Sequence, residues 1–261
     1  MGRYFKVYKT FFTTSLIREM EFRANFIAKI AQNCIWIFFF VMILLVVYSR
    51  TKSIAGWDRG DALVLAATCF MMNALNNAFF FSLHEIPTHV RMGTLDFILT
   101  KPIDTQFWVS SRKFNFDQIG TLFAGIVMVI IGVSGNVGWP GTMQWLAYAV
   151  LVLASTVIFY AFNLMLMTTG IWLVRVDNLW VLGESMMQIA RYPIDIYGPA
   201  IQRFFVFVLP LAFIATVPAR QLVRGFDASM LAFGLGWALA FFLVARWFWR
   251  FALRHYTSAS S

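Results

Sequence analysis

The chain has 261 residues, of which 60% are apolar and 13% are charged, and its formal net charge at pH 7 is +9. A water-soluble domain carries roughly twice that share of charged residues. The composition therefore excludes a soluble globular enzyme, a disordered chain and a disulfide scaffold, and it indicates a polytopic helical membrane protein. Because each span needs about 20 apolar residues, the length leaves room for about six spans and for no large soluble domain.

The first 26 residues have the pattern of a basic amphipathic helix. Apolar residues recur at steps of three and four along one helix face: Phe5, Tyr8, Phe12, Leu16 and Met20. Basic residues fall largely away from that face: Arg3, Lys6, Lys9 and Arg18. This pattern predicts an interface helix over residues 1–26 that lies in the membrane surface. The helix could be a simple anchor or a docking surface for a cytoplasmic partner, and the sequence leaves both open.

Long apolar runs locate the clear membrane spans. They predict spans at about 27–48, 62–83, 118–137, 144–174 and 228–247. The run at 144–174 is longer than one perpendicular helix needs, which is typical of a helix that tilts or projects into the cytoplasm. The predicted fold class is an all-α polytopic membrane protein with six transmembrane helices, in a single domain over residues 1–261.

The fifth element has two competing assignments. In the first, 177–193 spans the membrane and prolines break the outer re-entrant segment 194–219 into half-inserted helices. In the second, 177–199 is interfacial and 200–218 spans. Proline removes a helical hydrogen bond, and irregular backbone at membrane depth must be satisfied by protein or by a water-filled cavity. We favour the first assignment; both give an even number of spans.

The distribution of basic residues predicts the orientation. With the N-terminus inside, cytoplasmic segments hold 14 of the 21 Lys and Arg residues. We therefore expect a multi-pass protein of the cytoplasmic (inner) membrane with both termini cytoplasmic. The positive charge is then explained by basic loops held against anionic membrane lipids, so no nucleic-acid partner is expected. Four arginines on the other side indicate that their segment is not an ordinary loop: Arg191, Arg203, Arg220 and Arg224.

The sequence lacks the motifs of a catalytic or metal site. The string that starts at Gly120 ends with Ile126, where a phosphate loop has its lysine. The histidines are His84, His89 and His255, and the first two fall on different faces of a helix. We therefore expect no catalytic residue, no metal and no cofactor on this chain.

Polar residues inside the spans have two open interpretations. An ion-driven carrier places acids within its spans, but here only Glu184 is expected to lie deep, so energy for uphill transport would come from another subunit. Asn73 and Asn77 lie one helical turn apart, and Asn163 belongs to the fourth span. These side chains either hold helices together or line a pathway. A stripe of small residues predicts close helix packing, within one subunit or between two: Ala232, Gly236 and Ala240.

The segment 84–117 is too regular in pattern to be a slack loop. After Pro87, a short helical stretch runs to Gly93, and a second amphipathic piece follows Pro102. This predicts a short cytoplasmic helix between the second and third spans. Such a helix could enter a groove of a soluble partner and transmit motion to two spans at once.

At these residues the chain resembles the permease subunits of the ABC-2 exporter family, in its branch of compact six-span subunits. Glu85, then Gly93-Thr94-Leu95-Asp96, then Leu99-Thr100-Lys101-Pro102 match the family's pattern of an acid, Gly-Thr-Leu-acid, apolar residues and proline. The basic N-terminus looks like the family's interface helix. The proline-broken stretch from Arg191 to Pro218 is similar to its half-inserted outer helices.

The resemblance implies a function for the chain and for its loop residues. The coupling residues would be Glu85, Thr88, His89, Arg91, Gly93, Thr94, Leu95, Asp96 and Pro102. Two permease subunits, identical or sister, would form one pathway, and two ABC ATP-binding subunits would dock beneath and carry ATP and Mg. The alternative is an ion-coupled secondary transporter or channel.

Overall fold

The computed structural model describes residues 2–135, 139–173, 179–209 and 211–257, and it is almost entirely helical. The α-helices are α1 (Gly2–Glu21), α2 (Arg23–Arg50), α3 (Arg59–Phe80), α4 (Ile86–Arg91), α5 (Leu95–Leu99), α6 (Thr105–Ser111), α7 (Gln118–Ser134), α8 (Thr142–Thr168), α9 (Leu179–Ala190), α10 (Pro199–Phe207), α11 (Thr216–Val223) and α12 (Ala228–Arg254). Short 3-10 helices lie at Phe81–Glu85, Thr169–Ile171, Ile194–Ile196 and Leu211–Phe213. Two short strands, β1 (Ser53–Ile54) and β2 (Trp57–Asp58), pair antiparallel.

The described residues contain four helical stretches that are long and apolar enough to cross a membrane. They are Arg23–Arg50, Arg59–Arg91, Thr142–Ile171 and Ala228–Arg254. The apolar helix α7 is shorter, with 17 residues. These helices confirm an all-α membrane protein, whereas the count of six spans stays a prediction.

The region of the fifth element is broken into short helices. At about 1.5 Å per residue, the 12 residues of α9 are about 18 Å long, which is less than the roughly 30 Å of a hydrocarbon core. Arg175 and Asp177 lie outside the described residues. Pro199 and Pro218 each stand in the first turn of a helix, where a missing N–H is tolerated. The described residues form no continuous helix over 200–218 and only the short α9 within 177–193, so neither assignment of the fifth span is confirmed and both stay predictions.

Helix α3 is the centre of the packing, and most of its residues are buried. It lies along α7, where two glycines bring the backbones close together. A Cβ at Gly125 would lie 2.4 Å from Cγ of Met71, and one at Gly132 would lie 2.8 Å from the carbonyl oxygen of Gly60. Larger residues at these glycines would therefore separate the two helices.

Helix α12 packs along α8 through Gly234, where a Cβ would lie 2.4 Å from Cδ2 of Leu151. The predicted stripe of small residues is exposed instead: Ala232, Gly236 and Ala240. Among the described residues, no atom lies within 4 Å of a Cβ built on Gly236. The stripe therefore does not pack within this chain, and packing between two subunits stays a prediction.

Helix α2 is the most exposed of the long helices. Ile37 is its one buried residue, while Trp36, Phe38 and Phe39 are each more than half exposed. A helix that is apolar on its exposed face is expected to contact lipid. Phe22 separates α2 from α1 with a non-helical φ of −109° and ψ of 52°, so the chain turns between them.

Candidate functional site

The segment 84–117 folds into the short helices α4, α5 and α6. Pro87 stands in the first turn of α4, and the helix ends at Arg91. Gly93 has a φ of +66°, a left-handed conformation that glycine adopts without steric cost. This turn directs the chain into α5, where Asp96 lies in the first turn and is favourably placed for the helix dipole.

Glu85 connects the beginning of α4 to the chain that follows α6. Its carboxylate forms an ion pair with Lys113, and it lies 4.0 Å from Nη1 of Arg112 and 4.0 Å from Nε2 of His89. All four side chains are partly buried. One acid near the start of α4 therefore holds three basic groups around it.

A second set of contacts closes the turn at Gly93. Nδ1 of His89 and Oγ1 of Thr94 are hydrogen-bonded at 2.8 Å.

The guanidinium of Arg112 and the ammonium of Lys101 each lie over the ring of Trp108, at 4.8 Å and 4.5 Å from its centroid. Cation–π contacts of this kind attach the basic side chains to α6.

The segment divides into buried anchors and an exposed tip. Ile86, Leu95 and Ile98 are at most 3% exposed and pack with α8 and α12, whereas Met92 is 69% and Phe97 is 71% exposed. Leu95 therefore holds the segment to the spans and is not free to touch a partner.

The predicted coupling residues that are exposed are Thr88, Arg91 and Pro102. Those that are half-buried are Glu85, His89, Gly93, Thr94 and Asp96. Met92 and Phe97 were not among the predicted residues. In the sequence, the feature that could have indicated them is an apolar residue next to a charged one in an otherwise polar loop: Met92 follows Arg91, and Phe97 follows Asp96.

Helix α1 lies against the same segment. The rings of Tyr8 and Phe12 meet Phe114 edge-on at 5.2 Å and 5.1 Å, and Oγ of Ser15 accepts a hydrogen bond from the backbone N–H of Phe114 at 3.1 Å. Phe5, predicted on the apolar face, is 70% exposed. The aromatic cluster around Phe114 therefore selects a face that is partly different from the predicted one. The predicted basic residues of the helix are all exposed: Arg3, Lys6, Lys9 and Arg18.

A polar network joins the segment to the long helices. Arg246 on α12 donates to Oδ1 of Asp104 at 2.9 Å and to Oε1 of Gln106 at 2.8 Å. Gln106 donates to the hydroxyl of Tyr160 on α8 at 3.0 Å, and that hydroxyl is also bonded to Ser110 at 2.9 Å. The Arg246 guanidinium, assisted by the N–H groups at the start of α6, lowers the pKa of the Asp104 carboxyl below its ordinary value.

A small polar cavity lies where α3, α8 and α9 meet. Its volume is about 10 Å³, the space of about one water molecule. Polar side chains in its lining are Asn76, Asn77, His84, Asn163 and Glu184. The structure thus brings three of the predicted polar residues to one place, and Asn73 joins them through a 3.5 Å contact from its Nδ2 to Oε2 of Glu184.

Most of this chain matches a known protein family. The model of a family described as ABC-2 family transporter protein matches residues 34–260. The chain belongs to the ABC-2 transporter family. Among curated proteins, none matches the chain. The family match begins within α2, so α1 lies outside it.

Family membership confirms the coarser part of the sequence-based interpretation. ABC-2 permeases are transmembrane subunits that are generally not catalytic, and they generally work with an ATP-binding subunit. Among the described residues of this ABC-2 protein, no group of three His, Cys, Asp or Glu side chains is placed to hold a metal ion.

Proposed function

We propose that this ABC-2 protein is the transmembrane permease subunit of an ATP-driven exporter and that its 84–117 segment docks on an ABC ATP-binding subunit. The observation that carries the proposal is the exposed apolar tip formed by Met92 and Phe97, which stands on anchors that are almost completely buried. Exposed apolar side chains on a rigid base are suited to insertion into a groove of a partner.

The contacts around the tip would transmit motion to the membrane helices. A displacement of α4 would reach α3 directly, because a five-residue 3-10 helix joins them. It would reach α12 through the bond between Asp104 and Arg246. It would also reach the 3-10 helix that follows α8, because Pro87 lies so close to Gly170 that a Cβ built on this glycine would be 3.0 Å from Cγ of Pro87. ATP and Mg would bind on the partner subunit, which would supply the energy.

The assembly we infer contains two ATP-binding subunits and a second permease subunit, identical or sister. The exposed stripe on α12 supports contact between two permeases. We place the protein in the cytoplasmic membrane with both termini inside, as the distribution of basic residues predicts. The exposed basic side chains of α1 would face anionic lipid or the same docking surface.

The proposal is tested by the substitutions Met92→Asp and Phe97→Asp at the tip. The tagged chain is purified from its native membranes, and ATP hydrolysis per chain is measured in the eluate. Loss of an interface anchor costs about 2 kcal/mol or more, so we expect the copurified ATPase activity to fall roughly tenfold or further.

Met143→Asp is the matched control, because Met143 is 65% exposed at the beginning of α8. It should retain the ATPase. Full copurification with both tip variants would refute docking through this segment.

An ion-coupled carrier is the second candidate, because Glu184 lines a polar cavity between helices. The carrier predicts solute movement in liposomes that follows an ion gradient without nucleotide and is abolished by Glu184→Gln. Transport that requires an ATP-hydrolysing partner would favour the exporter.

A further inference from the structure

Among the described residues, the polar cavity between α3, α8 and α9 is lined by side chains with buried polar atoms that have no hydrogen-bond partner. Oδ1 of Asn76, Oδ1 of Asn163 and Nδ1 of His84 are buried and have no hydrogen-bond partner among the described residues. Asn76 is 5% and Asn163 is 6% exposed, so bulk solvent does not reach these oxygens. Buried polar atoms without a partner are costly, and their concentration at one cavity indicates an occupant.

The orientation of the amides favours a positively charged occupant. Nδ2 of Asn76 donates to the carbonyl oxygen of Met72 at 3.3 Å, which turns its carbonyl away from that bond. Nδ2 of Asn77 donates to Oδ1 of Asn73 at 2.9 Å and to the carbonyl oxygen of Asn73 at 3.1 Å. The NH₂ groups of Asn76 and Asn77 therefore donate within α3, whereas that of Asn73 contacts the Glu184 carboxylate.

The electrostatics of the cavity also favour a cation. Among the described residues, its lining contains one carboxylate, that of Glu184, and no lysine or arginine. Among the described residues, this carboxylate forms no ion pair. Arg191 exerts an electrostatic influence on Glu184, but its guanidinium lies over the ring of Phe70 on α3, at 5.3 Å from the centroid.

We propose that this cavity binds one monovalent cation of about the size of a water molecule, with Na⁺ as the ion that fits. Hard cations take carboxylate and amide oxygens as ligands, and Asn76, Asn163 and Glu184 supply both kinds. A single carboxylate matches one positive charge, whereas sites for divalent cations commonly combine several carboxylates.

The position of the cavity gives the cation a role beyond charge neutralisation. Its ligands belong to three helices, so an ion would hold α3, α8 and α9 together. His84 in the lining directly precedes Glu85, the acid that organises the start of α4. Occupancy would therefore stiffen the joint between the spans and the 84–117 segment.

The test measures binding of radioactive Na⁺ to the purified full-length chain in detergent, with choline replacing Na⁺ in the buffer. We expect saturable binding that unlabelled Na⁺ displaces. The assay uses no nucleotide and no partner, so its outcome is independent of the proposed exporter function. Absence of saturable binding to the wild-type chain would mean that water or a proton occupies the cavity, and the proposal would be overturned.

Two variants locate the site. Glu184→Gln removes the charge, and Gly183→Ala adds a Cβ that would lie 2.7 Å from Oδ1 of Asn163. Both should lose saturable Na⁺ binding while eluting as the same single species as the wild type in gel filtration. Glu21→Gln, the same chemical change at an exposed position, should bind as the wild type does. Unchanged binding in both cavity variants would place the ion elsewhere and contradict the proposal.

Discussion

Nε1 of Trp57 donates a hydrogen bond to Oδ2 of Asp195 at 2.8 Å, across 138 positions of the chain. The same carboxylate is bonded to Nη2 of Arg220 at 2.5 Å, and Arg224 lies over the Trp57 ring at 5.1 Å from its centroid. The β1–β2 hairpin is thereby attached to the proline-broken segment. Two of the four arginines that indicated an unusual loop are explained by these contacts.

Trp57→Phe should destabilise the protein by about 1.5–3 kcal/mol, because the charged Asp195 carboxylate loses the hydrogen bond that the fully buried Trp57 indole donates to it. The measurement is the thermal unfolding midpoint in detergent. Trp139→Phe, which makes the same change at a 65% exposed residue, should leave the midpoint unchanged. Equal midpoints for the two variants would contradict a stabilising role for the Trp57–Asp195 bond.

Acid should weaken the ion pair between Asp104, at the start of α6, and Arg246 on α12. The pKa of Asp104 is lowered in the folded chain chiefly by its bond to Arg246, with the hydroxyls of Tyr4 and Tyr160 as other titratable neighbours. The bond therefore contributes its full stability above the ordinary carboxyl pKa of about 4 and loses it as pH falls toward the lower folded value.

Asp104→Asn keeps a good helix N-cap but removes the charge, so it isolates this contribution. We expect the wild type to unfold at a higher temperature than Asp104→Asn at about pH 7 and the difference to shrink below about pH 4. A difference that is constant across this range would show that the ion pair does not contribute.

Glu85 and Lys113 should be energetically coupled. A double-mutant cycle with Glu85→Gln and Lys113→Gln is expected to give a coupling of about 0.5–1 kcal/mol, since both side chains are about a quarter exposed and solvent screens the pair. In the control cycle, Lys101→Gln replaces Lys113→Gln, because Lys101 contacts the ring of Trp108. The control coupling should be near zero, and similar values in the two cycles would argue against a specific pair.

Gly236→Leu should weaken association between permease chains. It fills the exposed stripe on α12 without meeting any described atom of its own chain within 4 Å at the Cβ. Cross-linking in membranes is expected to give less dimer for this variant than for Val244→Leu, a control at a half-exposed site on the same helix. Unchanged dimer formation would exclude the stripe from the interface, while the folding of each chain would be unaffected in either case.

Sequence patterns along the chain were sufficient for the class of the protein and for most of its long helices. Apolar runs predicted the helices that α2, α3, α8 and α12 now define, because a span is recognised from the composition of one continuous segment. Pro193, Pro199 and Pro218 likewise indicated the breaks between α9 and α12, since proline acts on its own backbone. The acid, glycine and proline spacing of the 84–117 segment led to the family that residues 34–260 match.

The partners of the polar residues depend on the tertiary structure. Nothing near Arg246 in the sequence indicates Asp104, 142 positions away, and nothing near Asn163 indicates Glu184 or His84. Periodicity predicts which face of a helix is apolar, but packing decides which neighbour that face meets. On α12, Gly234 packs against Leu151 of α8, whereas a Cβ on Gly236 of the predicted stripe would meet no described atom of its own chain within 4 Å. Composition and local spacing therefore determined that this is a helical membrane protein that resembles ABC-2 permeases. The three-dimensional packing of helices distant in sequence decided which charges pair and where buried polar atoms without partners lie.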